Sequence, residues 1–258
     1  MIGKPLIELD RVDSTNSYAA RMPAGNGPAD GTVVWAHDQF AGRGQQEHVW
    51  SSEPGKNLTF TACLRPSFLP ADQQFSLNRA VALAVAGTVR FCLSGASPET
   101  GSPASPEKVV RIKWPNDIYA GRKKIAGILI EHRVMGDTID LTLAGIGINL
   151  NQVVFPSELP NPVSLAQLLG RELPPEEILQ QACRFLEEYY RRLMTGPGSL
   201  QREYDSLLLG FGEWRTFRKE ETMFDAMIEG TDSYGRLVVR LAGGKREAFM
   251  HPEVTLAV

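Results

Sequence analysis

Lys113-Trp114-Pro115-Asn116-Asp117, followed by Gly121-Arg122-Lys123-Lys124-Ile125-Ala126-Gly127-Ile128-Leu129-Ile130-Glu131, is the stretch that decides the fold. Pro115 fixes its own φ and pushes Trp114 toward an extended conformation, so the chain reads as strand, corner, short hairpin, strand. Such a corner can hold Lys113, Asn116, Asp117 and Lys124 on one side of a sheet. That set suits a carboxylate and a phosphate bound together.

Working outward, Ile125 to Val134 and Thr138 to Asn149 are β-rich and separated by Met135-Gly136-Asp137, which predicts a hairpin. Gly31 to Ala36 is a short β-branched run, expected as a central strand. Asn57 to Leu64 alternates Leu58, Phe60 and Ala62 against Thr59, Thr61 and Cys63, which predicts a strand with one face more buried. Ser14-Thr15-Asn16 opens a short helix with N-cap chemistry. Apolar residues crowd one face from Gln73 to Leu93, predicting a long helix packed on the sheet. Pro174 to Met194 and Pro197 to Leu208 read as two more helices. Ser94 to Glu107 has no periodicity and reads as a surface loop. A division is expected near Leu209-Gly210-Phe211-Gly212, giving residues 1–208 and 209–258. Beyond it, five short strands predict a small SH3-like barrel. Strands and helices do not alternate regularly, so the class is α+β with a mainly antiparallel sheet.

The 258 residues can bury a sizeable core, and their net charge is −3 with no basic tract, which argues against nucleic-acid binding. No run of eighteen apolar residues predicts a membrane span. Cys63, Cys92 and Cys183 are odd in number and lack metal-ligand spacing, as expected for reduced thiols in a cytoplasmic protein. His37, His48, His132 and His251 show no zinc-site pairing.

Four segments carry a resemblance, in order along the chain: Asp13-Ser14-Thr15-Asn16, then Gln39-Phe40-Ala41-Gly42-Arg43-Gly44 with Trp50-Ser51-Ser52 behind it, then Lys113 to Asp117 with Lys124, then Gly145-Ile146-Gly147-Ile148-Asn149. Together they resemble the biotin protein ligases, adenylate-forming enzymes that attach biotin to a lysine of an acceptor. The likeness implies a class II synthetase-like catalytic fold, with biotin and ATP as substrates and Mg²⁺ accompanying ATP, near Asp117 and without a fixed protein site. It implies a biotin carboxyl carrier protein as partner, for a monomer or homodimer. The first motif begins at Asp13, so no DNA-binding domain is expected ahead of it.

By the same resemblance Lys124 contacts the biotin carboxylate and the α-phosphate, Lys113 supports it, and Arg43 serves the phosphate. Asp117 is expected to accept the proton of the acceptor lysine or to orient its amine; its other reading is a plain turn residue. Ser14, Thr15, Asn16 and Gln39 offer the donors and acceptors that a ureido ring needs, and Ser14 and Thr15 also fit simple N-capping. Gly42, Gly44, Gln45, Trp50, Asn116, Gly127 and Asn149 complete the expected ligand set. The loop departs from the family's arginine-rich form: Gln45, Gln46 and His48 stand where cations are commoner, and Glu47 where glycine is. Closure is therefore expected to rest more on amide hydrogen bonds than on ion pairs. Two rival readings are a lipoate or octanoate ligase or transferase, and a non-catalytic biotin-adenylate sensor.

Overall fold

Seven strands form one large sheet, and a second sheet of five strands follows it in the chain. The computed structural model describes residues 1–23, 27–45, 49–94, 109–196 and 198–257. Of the expected surface loop only Ser94 falls within this range, at a helix end; Gln46, Glu47, His48 and Pro197 also lie outside the described residues. In chain order the large sheet uses β1 (Leu6–Val12), β2 (Thr32–Gln39), β3 (Leu58–Leu64), β4 (Val110–Lys113), β5 (Asp117–Ala120), β6 (Lys123–Met135) and β7 (Thr138–Ile148). Their spatial order is β1-β2-β3-β7-β6-β5-β4, with β1 and β2 parallel and every other pair antiparallel. This is the expected α+β class.

Two layers of helix cover the sheet. Helix α1 (Thr15–Ala20) crosses between β1 and β2 and packs Ala19 with Val34, Cys63, Leu141 and Leu143. Helix α2 (Gln74–Ser94) lies on the other face, over Phe60, Ala62, Ile128, Ala144 and Ile146. It is long and apolar enough to cross a membrane, but 78% of its apolar window is buried in the fold, the mark of a core helix. Because α1 covers the threonine side of β3, all seven β3 residues are buried, where the sequence pattern predicts one wetter face. Short helix α3 (Leu165–Leu169) carries a capping box on Ser164 and Gln167. Helix α4 (Pro175–Thr195) packs against α2, and α5 (Ser199–Ser206) follows it. Cys63, Cys92 and Cys183 are free and buried.

The second sheet runs β11-β10-β9-β8-β12, from β8 (Trp214–Lys219), β9 (Thr222–Thr231), β10 (Leu237–Leu241), β11 (Arg246–Phe249) and β12 (Thr255–Leu256). It is anchored to the first body by a buried polar cluster. Arg79 of α2 donates to the Thr231 hydroxyl at 3.0 Å, and that hydroxyl donates to Asp205 of α5 at 2.7 Å. The Trp114 indole N–H donates to the Gly235 carbonyl at 2.9 Å, and the Phe75 ring fills the space a Gly235 side chain would need. Leu207 and Leu209 hydrogen-bond Ile112 of β4, so the chain leaves the large sheet only at Leu209.

Candidate functional site

The strand registers set a row of four residues across the sheet. Lys113 faces Asp117, Asp117 faces Gly127, and Gly127 faces Gly147. Residues paired directly across neighbouring strands share a face, so this row lies on the α1 side, away from the α2 core. Lys124 is three residues from Gly127 and in a regular strand would point the other way. The β5–β6 register shifts instead, pairing Ile118 with Ala126 but Tyr119 with Lys124, so Ile125 is an extra residue. This bulge turns Lys124 onto the same face as Asp117, and its ammonium lies 2.7 Å from the Asp117 carboxylate. Lys113 stands over the Tyr119 ring at 5.6 Å. Burial lowers the Lys113 pKa, the Asp117 carboxylate opposes that, and the Lys124 charge adds to it. The corner itself is fixed: the Tyr204 hydroxyl donates to the Pro115 carbonyl at 2.6 Å, and the Asn116 amide donates to the Ile128 carbonyl.

Beside the lysines lies an aromatic platform. The Trp50 ring rests on the two glycines of the row, where a Gly147 Cβ would be 2.3 Å and a Gly127 Cβ 2.9 Å from ring atoms. Lys124 sits 5.9 Å from the ring centre. The Trp50 backbone N–H donates to the Gly42 carbonyl at 2.9 Å, while Arg43 and Val49 pair as an isolated bridge. The residues after it are pinned as well: the Asn57 amide donates to Gln152 at 2.5 Å and to Ser52 at 3.2 Å.

At the far end of the same face lies α1. Thr15 donates both its backbone N–H (2.7 Å) and its hydroxyl (3.0 Å) to Gln39 Oε1. The Asn16 amide nitrogen donates to Glu131 at 2.7 Å and to the Leu129 carbonyl at 3.3 Å, and Asn16 Oδ1 accepts from Thr61 at 2.6 Å. Asn16 also fills the space over Gly145. Both of its amide hydrogens are thus taken by the protein. The Ser14 hydroxyl makes no cap bond, so the simple N-capping reading does not describe it.

One cavity of about 810 Å³ joins these parts. Of the residues expected from sequence, Ser14, Thr15, Asn16, Gln39, Arg43, Gly44, Gln45, Trp50, Lys113, Asn116, Asp117, Lys124, Gly127 and Asn149 all line it. Gly42 does not; it borders a smaller outer cavity and contributes the carbonyl that holds Trp50. The Asn149 amide donates to the Val163 carbonyl at 3.1 Å and so braces the wall. The Arg43 guanidinium donates to Glu131, which stands seven residues along β6 from Lys124. The sequence reading singled out no residue of the second sheet, which supplies part of the wall with Phe217, Thr255 and Leu256 among others. It also missed Glu131, although Gly127, Leu129 and Glu131 have the same strand parity. Among the described residues no three His, Cys, Asp or Glu side chains are grouped to hold a metal ion.

Residues 8–149 match the model of the Biotin/lipoate A/B protein ligase family. The chain is 31% identical over 253 residues to the Bacillus subtilis bifunctional ligase/repressor BirA, covering 96% of this chain and 73% of that protein. It is 31% identical over 246 residues to a Paracoccus denitrificans biotin--[acetyl-CoA-carboxylase] ligase, covering 92% and 95%. Among solved structures, an Aquifex aeolicus biotin protein ligase in complex with biotin and ATP superposes with a TM-score of 0.79 at 24% identity, covering 98% of this chain and 99% of that one.

Proposed function

We propose, from the premise that the chain belongs to the Biotin/lipoate A/B protein ligase family, that this enzyme is an ATP-dependent biotin protein ligase that works through an adenylate. The observation that carries the reading is the row Lys113–Asp117–Gly127–Gly147, with Lys124 and Trp50 laid on it inside one cavity. At about 810 Å³ the cavity is near the top of the usual small-ligand range of about 300–1,000 Å³, large enough for an acid and a nucleotide side by side.

In the first step an oxygen of the biotin carboxylate attacks the α-phosphorus of ATP, the bond to the β-phosphate oxygen breaks, and pyrophosphate leaves with the electron pair. Two anions must approach. Lys124 and Lys113 stabilise the charge that builds, and no side-chain nucleophile is required. Mg²⁺ arrives with ATP and supplies further charge neutralisation. In the second step the neutral amine of an acceptor lysine attacks the acyl carbon and AMP leaves. Keeping that amine neutral near pH 7.4 costs about 4 kcal/mol from an ordinary pKa of about 10.4. Asp117 accepts the proton of the acceptor amine or orients that amine, and its own carboxylate is held by the Lys124 ammonium at 2.7 Å. The Trp50 platform carries the ring systems, and Ser14, Thr15 and Gln39 face the ureido group. The acceptor is a biotin carboxyl carrier domain, and the reaction belongs in the cytoplasm.

The test is exchange of labelled pyrophosphate into ATP with biotin, lipoate and octanoate in parallel. Biotin-dependent exchange that disappears in Lys124→Ala is expected. Exchange driven by lipoate or octanoate would replace the reading with its sister activity, and tight biotin binding without exchange would leave a sensor.

A further inference from the structure

Glu131 is a carboxylate on the α1 face that the mechanism above does not use. Glu131 has the strand parity of Gly127 and Leu129 on β6, just behind the cavity wall, and its two oxygens gather two residues of that wall. Oε2 accepts from the Asn16 amide at 2.7 Å, and one guanidinium nitrogen of Arg43 donates to both oxygens, at 3.0 and 2.8 Å. Asn16 in turn fixes Thr61, which lies against Thr15 at 2.7 Å, and Thr15 holds Gln39. A single side chain therefore joins the root of the glycine-rich loop to the helix end that faces the ureido group.

We propose that Glu131 is the positioning residue for the acid-binding end of the cavity, clamping Arg43 and Asn16 so that the loop root and the floor beneath the ureido ring are set before ligand arrives. The inference rests on the biotin-ligase reading and deepens it. Both amide hydrogens of Asn16 are taken by Glu131 and the Leu129 carbonyl, which makes it a bracket through which Glu131 acts. Arg43 sits at Glu131 and not beside Lys124, so its charge serves the acid's ring end and the loop's footing. The carboxylate does this with geometry as well as charge. A glutamine at 131 can still accept from Asn16, but it holds the guanidinium only as a neutral acceptor. Removing the clamp should therefore loosen the binding of the acid and leave the lysine chemistry in place.

The experiment compares wild type, Glu131→Gln, Arg43→Gln and the double variant by biotin-dependent pyrophosphate exchange. Glu131→Gln is expected to raise KM for biotin about five- to tenfold, with kcat within about twofold and KM for ATP unchanged. Arg43→Gln should reproduce that shift, and the double variant should add nothing to it. Arg43→Gln leaves the Asn16 contact intact, so it reports on the clamp even if Glu131→Gln folds poorly. A second readout needs no activity. Trypsin must draw the Arg43 side chain into its own pocket to cut after it, so cleavage at Arg43–Gly44 should be several-fold faster in Glu131→Gln, at an unchanged melting temperature. Additive KM effects, a shift in the ATP KM instead of the biotin KM, or unchanged cleavage would each overturn the proposal. Wild-type enzyme without biotin-dependent exchange would overturn the functional reading instead, and the cleavage comparison would still decide the clamp.

Discussion

Replacing Gly147 by alanine isolates the aromatic platform from everything else in the site. Gly147 has an ordinary strand conformation, so alanine adds no backbone strain, only a methyl group. That methyl carbon would lie 2.3 Å from Trp50 Cε2, 2.5 Å from Cζ2 and 2.7 Å from Nε1. Carbon atoms settle at about 3.5–4.0 Å, so the ring must rise by roughly 1.2 Å. Its backbone cannot follow freely, because the Trp50 backbone N–H is tied to Gly42 at 2.9 Å and the following residues are tied through Asn57 and Gln152. Overpacking of this kind costs about 1–3 kcal/mol, and at about 2–4 °C per kcal/mol for a chain of this size the melting temperature should fall by several degrees. Catalysis should suffer more, since a displacement of about 1 Å at a reacting centre costs of the order of 10²-fold. At Gly127 the nearest ring atom would be 2.9 Å away, so Gly127→Ala should follow the same direction with a smaller loss. Gly243→Ala, with no atom within 4 Å, is the control. The assay is exchange kinetics with calorimetric melting on all three variants. Gly147→Ala with wild-type kcat/KM, or a Gly127 effect larger than the Gly147 effect, would refute the platform.

Asp117→Asn should slow transfer from preformed adenylate to the carrier lysine by about 10²-fold, within the usual range for loss of a general base, and reduce pyrophosphate exchange less. A normal transfer rate from preformed adenylate would remove Asp117 from that role. His132, half-buried on β6 against Thr142 at 2.9 Å, has its pKa lowered by burial from 6.5 to about 4. The unfolded chain takes up its proton first as pH falls, so the contribution is present above pH 6.5 and is lost progressively toward about pH 4. A shift of that size is worth at most about 3 kcal/mol at 1.36 kcal/mol per unit. His132→Asn should therefore flatten the loss of stability between pH 6.5 and 4.5 in urea unfolding, and an unchanged slope would show that another group governs it.

How much of this was legible in the sequence depends on whether the signal was local. The corner at Trp114–Asn116, the hairpin around Gly136 and the long helix α2 are written in short-range chemistry: a proline that restricts its neighbour, a turn glycine, an apolar stripe at helical spacing. The site residues were legible as a set because four motifs lay in order, and the structure brings all of them but Gly42 to one cavity. Strand β1 was not read, although Ile7 and Leu9 alternate with Glu8 and Asp10, because its burial comes from β2 and α1, which are formed elsewhere in the chain. Lys124 shows the deeper limit. Its spacing from Gly127 predicts opposite faces, and only the bulge at Ile125, a property of the β5–β6 pairing, turns it toward Asp117. The same holds for Arg43, whose partner is 88 residues away: as sequence it is a cation in a loop, and only the tertiary approach of that loop to β6 pairs it with Glu131. The chemistry of this site was thus visible one residue at a time. Its direction, with lysines at one end of β6 and a carboxylate clamp at the other, is a property of register.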